Sequence, residues 1–330
     1  MASINRLTSK SLWHILLLLT LLLLTQSHAQ SEFNSLELDV ENDLIPEGIV
    51  IDAKSQTVFI NSLRRNKIVC FDLDGNNPED FISQNQYSYL PGFGMEIKGD
   101  TLFALGNSLS KTNNKSILLL MKSSTRKLID SYNLDSPDLI YLNDLAVDSK
   151  GKIYITNSEG NTIYYLNRNE GQLAVFYQND QIKYSNGICI SPNGRFLYLA
   201  SYTSGIRILD LETKELVNPP NAHKGIDGMK FYRNSLICMV NGRRDSSQNG
   251  VYQFHLNKDG NDIVGSEKIH EFFEASDIPT TFAIYRDTMY FIADSQLHNL
   301  NQETNEIIDV DKLKNYQLVK KRLSIKPKNN

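Results

Sequence analysis

EGIVIDAKSQTVFINS (47–62), FGMEIKGDTLFALGNS (93–108), NDLAVDSKGKIYITNS (143–158), NGICISPNGRFLYLAS (186–201), DGMKFYRNSLICMVNG (227–242) and TTFAIYRDTMYFIADS (280–295) are six versions of one pattern. Each has a short alternating apolar run, a tight polar turn and a second apolar run. Turns such as SKG, PNG and KGD carry hairpin chemistry. The first positions of the six segments lie 46, 50, 43, 41 and 53 residues apart. A third apolar run follows several hairpins: NKIVCFDL (66–73), NTIYYLN (161–167), SGIRILDL (204–211) and GVYQFHL (250–256). A fourth often comes next, as in RKLIDSY (126–132), QLAVFYQ (172–178) and EKIHEFF (267–273). Four strands per unit at this period is the signature of a β-propeller. The expected fold is all-β, a six-bladed β-propeller of four-stranded blades. Long amphipathic helices are absent, which removes the α/β classes. A two-sheet sandwich would leave the near-equal spacing unexplained.

Working outward, NSLELDV (34–40) precedes LIPEG much as other fourth strands precede their next blade, and is expected to close the last blade. The rival is EIIDV (306–310), which would make that blade complete in itself. The propeller is expected over residues 33–320, with a basic C-terminal tail at 321–330. Residues 1–29 differ in kind. Arg6 and Lys10 precede SLWHILLLLTLLLLT, and Ser27-His28-Ala29 supplies small residues where a signal peptidase reads. The uninterrupted apolar part is short for a spanning helix. A cleaved signal peptide is therefore the expectation and a retained anchor the alternative, with a secreted or periplasmic mature protein.

The chain has 330 residues, 41% hydrophobic and 22% charged, enough to bury a core without disulfide or metal staples. Without its first 29 residues it would carry 32 basic and 38 acidic side chains, a net of −6. That acidity argues against a nucleic-acid partner. Cys70, Cys189 and Cys238 each sit in an apolar run and read as small buried hydrophobes. There is no CxxC or zinc spacing, no G-x-S-x-G elbow, no H-E-x-x-H helix and no phosphate loop.

In a propeller the first strand of each blade lines the central channel, so residues at its start converge at one face. Those positions here are Glu47, Phe93, Asn143, Asn186, Asp227 and Thr280. Four are carboxylates or amides. An oxygen-only set suits a hard cation such as Ca²⁺. Glu47 and Asp227 would neutralise a dication, Asn143 and Asn186 would add ligands without repulsion, and Phe93 and Thr280 would leave a side for water and substrate. The competing reading is turn chemistry, because Asn-Gly and Asp-Gly mark turns in any protein.

The same stretches, PEGIVID, LNDLAVDSKGKIYITNS, SNGICISPNGRFLYLAS and IDGMKF, resemble the inner strands of the gluconolactonase/senescence-marker-protein/luciferin-regenerating-enzyme family, from about residue 40 to 300. The resemblance implies a six-bladed propeller with a divalent cation, often calcium, in its channel. It implies Glu47, Asn143, Asn186 and Asp227 as the metal ligands and Asp227 as catalytic acid/base as well. Sugar-lactone hydrolases of the family carry a substrate-holding Arg where this chain has Tyr141. The more distantly similar paraoxonases use a His pair, for which His223, four residues before Asp227, is the candidate here. The expected function is hydrolysis of a small lactone or related ester, with no membrane partner after signal removal. The alternative is a non-catalytic propeller with a structural calcium and a ligand- or protein-binding face. A third possibility, strictosidine-synthase-like condensation or isomerisation, finds no support in these residues. Basic loops at Arg64-Arg65 and Arg243-Arg244 and the SLSKTNNKS loop (108–116) could select an anionic substrate or be solvated surface. Asn114-Lys115-Ser116 is a glycosylation sequon in a eukaryotic host.

Overall fold

The computed structural model describes residues 33–109, 114–167, 169–274 and 276–323. The chain divides into two compact units, 1–34 and 35–330. The expected signal peptide lies outside the described residues, as do part of the 108–116 loop and the end of the expected basic tail. The second unit is the propeller.

Its six antiparallel sheets follow the six sequence repeats. Blade 1 is built from Pro46–Asp52, Thr57–Ser62, Ile68–Asp72 and Glu79–Ile82. Blade 2 uses Gly92–Lys98, Thr101–Asn107, Lys115–Lys122 and Leu128–Asp135, and blade 3 Leu142–Val147, Ile153–Asn157, Thr162–Asn167 and Gln172–Gln178. Blade 5 comprises Ile226–Tyr232, Ser235–Val240, Gly250–Leu256 and Ile263–His270. In blade 6, Ala283–Tyr285, Thr288–Ile292 and Gln317–Arg322 are completed by the N-terminal strand Phe33–Glu37. The ring is thus closed from its beginning. The rival segment instead pairs as a small separate hairpin, Leu300–Asn301 with Glu306–Ile307.

A strand's place in its blade explains its composition. Second strands are buried on both faces, so they read as unbroken apolar runs: Ser235–Val240 is buried throughout. In blade 1, Val58 and Ile60 pack towards blade 6 with Tyr290 and Leu318. Their neighbours Phe59 and Cys70 pack towards blade 2 with Leu102 and Leu119. Outer strands face solvent, and Leu128–Asp135 is exposed or half-exposed along its whole length. All three cysteines are buried free thiols in these layers.

Two sequence boundaries are corrected. The strand Gln317–Arg322 carries Leu318 and Val319 into the core, so Lys320, Lys321 and Arg322 are strand residues and not the start of a solvated tail. Lys320 pairs with Asp74 at 2.5 Å. Blade 4 has three strands, Ser185–Ile190, Phe196–Ser201 and Gly205–Asp210. Pro219 and Pro220 deny the next segment the N–H groups of a fourth. Asn218 and Asn221 stand in for it. Their side-chain oxygens accept from the Ile208 and Ile206 N–H groups (2.7 and 3.1 Å), and both amides donate to the Ile206 carbonyl.

Candidate functional site

Each of the first five inner strands carries an irregularity at the same place. The register slips between Pro46 and Ile49, Gly92 and Met95, Leu142 and Leu145, Ser185 and Ile188, and Ile226 and Met229. Inside those five bulges lie Glu47, Phe93, Asn143, Asn186 and Asp227. A bulge adds a residue to one strand and re-aims its side chains. The Asn-Gly and Asp-Gly pairs are therefore bulged strand and not connecting turns.

At four of the five positions, all but Asn143, the next residue is a glycine that makes this possible. A Cβ on Gly94 would come within 2.6 Å of Asp144 Oδ1, and one on Gly187 would strike the Asp227 carbonyl and lie 2.9 Å from Met229 N. On Gly228 it would meet Thr281, 2.8 Å from its Cα. Neighbouring inner strands approach too closely here for a side chain.

Polar groups from the second strands stitch the bulges together. Asn61 Oδ1 accepts from Gly48 N at 2.7 Å, while its amide donates to the Phe93 carbonyl of the next blade. Thr156 repeats the device one blade pair further round, accepting from Asp144 N (3.1 Å) and donating to the Asn186 carbonyl (2.7 Å). Thr280 closes the circle by donating to the Glu47 carbonyl at 2.7 Å. It also favours the ionised Glu47 side chain, so it braces the site.

The structure brings the two predicted carboxylates into mutual range. Burial, then Asp227, then Asp144 push the Glu47 carboxyl well above its ordinary value. Glu47 Oε2 is buried and has no hydrogen-bond partner. Asp227, 9% exposed, is pushed up to about 7, chiefly by burial, with Asp144 adding and hydrogen bonds from Asn241 and Asn186 opposing. Asn241 holds Asp227 Oδ2 at 2.6 Å and reaches the Pro279 carbonyl at 3.0 Å. Asn143 is half-buried and donates to Ser158 Oγ at 3.2 Å. Asp144, Ser158 and Asn241 were missed from the sequence, although Asp144 and Ser158 stand at the ends of the NDLAVDSKGKIYITNS repeat.

Asp144 turns down the channel, with its oxygens accepting from Leu145 N (2.9 Å) and Ile188 N (3.4 Å). Burial raises its pKa and Lys230 opposes that. Lys230 in turn pairs with Glu96 across the channel at 3.1 Å. Beside them lies a cavity of about 260 Å³, lined by Glu96 and Lys230 together with apolar residues such as Ile49, Leu145 and Ile188.

Three expected substrate contacts are engaged within the protein. Phe93 is only 6% exposed and packs with Ile45, Leu63, Leu109, Ile140 and Leu300. Leu300 belongs to the segment between the second and third strands of blade 6, which the repeat does not predict. Tyr141 packs on Phe93 with the rings tilted by 48° and centroids 5.6 Å apart, its hydroxyl donating to the Leu109 carbonyl at 2.9 Å. This side of the mouth is a closed apolar wall. His223 packs on Phe254 at 4.7 Å, and burial and then Arg243 lower its pKa. Its contacts lie in the flank of blade 5. The basic loops are engaged as well: Arg64 and Arg65 both hold Asp43 at 2.8 Å, and Arg243 donates to the Ala222 carbonyl.

Among the described residues no three His, Cys, Asp or Glu side chains come together as a metal cluster. The candidate set has two carboxylates and two amides, a composition that such a grouping does not capture. Its fit to a cation rests on the orphaned Glu47 oxygen and on Asp227 and Asp144, both of which raise the proton affinity of Glu47.

Fold and site together define a six-bladed propeller with an oxygen-lined axial site at one channel mouth. The model of the SMP-30/gluconolactonase/LRE-like region matches residues 45–238, and the chain belongs to that family. No curated protein matches the sequence at a significant level. Among solved structures it is similar to the calcium-binding protein regucalcin from Agrobacterium tumefaciens, at 14% identity and a TM-score of 0.56 over 89% of this chain and 97% of that one. It is similar to a luciferin-regenerating enzyme at 12% identity and 0.56, over 87% and 94% of the two chains. It is also similar to virginiamycin B lyase from Staphylococcus aureus at 13% and 0.56, over 88% and 100%. At these identities the likeness shows the fold.

Proposed function

We propose that the protein is a divalent-cation-dependent hydrolase of a small lactone or related ester, acting outside the cytoplasm once its leader is removed. The observation that carries this reading is the buried, mutually repelling set Glu47, Asp227 and Asp144, with Glu47 Oε2 left without a partner. Glu47, Asn143, Asn186 and Asp227 would hold the cation. Calcium there would neutralise the carboxylates and polarise a substrate carbonyl.

The chain's own residues supply the rest. Asn241 fixes one oxygen of Asp227 and thereby orients the other. In that orientation the oxygen of Asp227 that Asn241 leaves free can take a proton from an attacking water. Thr280, Asn61 and Thr156 hold the backbone beneath the site rigid, which preorganises it. With Tyr141 in place of a cation and Arg64 and Arg65 bound to Asp43, a neutral lactone or ester is the better match among the described residues.

The test is turnover of sugar lactones, acyl lactones and aryl esters by the purified chain, with calcium and with a chelator. Turnover lost in chelator and in Asp227→Ala supports the reading. Calcium binding without turnover on any substrate would favour the non-catalytic propeller with a structural cation.

A further inference from the structure

Hydrolysis of an ester or lactone puts negative charge on the carbonyl oxygen, and a donor aimed at that oxygen counts most where water is excluded. The site amides are already committed: Asn143 to Ser158, Asn241 to Asp227 and Pro279, and Asn186 to Asp227. Tyr202 is differently placed. It follows the second strand of blade 4, with its backbone N–H on the Tyr184 carbonyl at 3.2 Å. Its ring leans to blade 5, where the hydroxyl lies against Gly242, the neighbour of Asn241. A Cβ on Gly242 would stand 2.8 Å from Tyr202 Oη and 3.1 Å from its Cε1, so the bare glycine keeps open the space the phenol fills. Burial first, then Asp227 and Glu47, push the phenol pKa up, so it keeps its proton. Among the described residues no hydrogen-bond acceptor is recorded for that hydroxyl. Tyr202 is 40% exposed, whereas Phe93 is buried and Tyr141 half-buried.

We propose that the Tyr202 hydroxyl donates a hydrogen bond to the reacting carbonyl oxygen of the substrate, a role that rests on the hydrolase reading above. Neither the repeat nor the family pattern read from the sequence points to this position. The residue is reached only through its geometry beside Gly242, next to the Asn241 that holds Asp227.

The experiment uses the best substrate of the panel and three variants. Tyr202→Phe keeps the ring and removes the donor. It should lower kcat on the order of 10²-fold, with KM and the calorimetric calcium affinity unchanged. Gly242→Ala should displace the phenol and lower kcat less. The double variant should be no worse than Tyr202→Phe alone, because both changes remove one interaction. Full turnover by Tyr202→Phe, beside an active wild type, removes Tyr202 from the chemistry and leaves the hydrolase reading standing. So does a Tyr202→Phe defect that tracks lost calcium affinity. A wild type with no chelator-sensitive turnover withdraws the hydrolase reading and the role of Tyr202 with it.

Discussion

Replacing Asp227 with Asn should make the cation-free protein more stable at alkaline pH and less responsive to calcium. The ordinary value of the carboxyl is 3.8, and in the fold it is pushed up to about 7. The folded chain therefore binds this proton more tightly than the unfolded chain does. Stability falls as pH rises from about 4 through about 7 and levels off above that. At 1.36 kcal/mol per pH unit the full loss is on the order of 4 kcal/mol, and about 3 is a fair expectation because Glu47 takes part of the same repulsion. The Asn side chain keeps the shape and can still accept from Asn241, so the substitution removes the charge and little else. With an unfolding entropy of about 2.1 cal/mol/K per residue over roughly 290 residues, 3 kcal/mol is roughly 5 °C in Tm. The assay is thermal unfolding of wild type and Asp227→Asn in chelator at pH 4.5 and pH 8, repeated with excess calcium. The variant should melt higher at pH 8 and nearly level with wild type at pH 4.5. Calcium at about 100 times Kd should return about 2.7 kcal/mol to the wild type and less to the variant. A variant no more stable than wild type at pH 8 in chelator would falsify the claim that burying a charged Asp227 costs the cation-free fold stability.

Gly187→Ala should destabilise by about 1–3 kcal/mol through overpacking, since its Cβ would press on the Asp227 carbonyl and Met229 N. It should also weaken calcium binding, as read by urea midpoint and calorimetry. Deleting residues 33–40 should remove the outer strand of blade 6 and the buried Leu38. The expected result is a lower, broader melting transition, and an unchanged one would mean that closure contributes nothing to cooperativity.

The ring was legible because its signal is local and repeated. Each hairpin carries its own alternation and turn, and six of them at one period leave few other architectures. The phase of Glu47, Asn143, Asn186 and Asp227 was legible for the same reason. The supporting residues were not. Asn61, Thr156 and Asn241 act on the neighbouring blade, and no spacing within one repeat encodes a contact between two. Phe93 shows the opposite failure. It sits at the right phase, but it is buried in a cluster that also takes in Leu300 from the irregular segment between the blade 6 strands. The missing fourth strand of blade 4 was not foreseen, because the repeat was read from its hairpins and Pro219-Pro220 fall after them, and the replacement by the side chains of Asn218 and Asn221 needed the structure.

The N-terminal strand of blade 6 has a consequence for the order of assembly. Blades 1 to 5 are each made of residues adjacent in the chain and can form as soon as they are synthesised. Blade 6 cannot, because Gln317–Arg322 must meet a strand made almost the whole chain earlier. Until it does, the first strand is an open edge that can pair with another molecule. Ring closure is then the slow, long-range event of folding. Crowded expression would be expected to produce chains joined through that strand, each lending its beginning to the end of a neighbour.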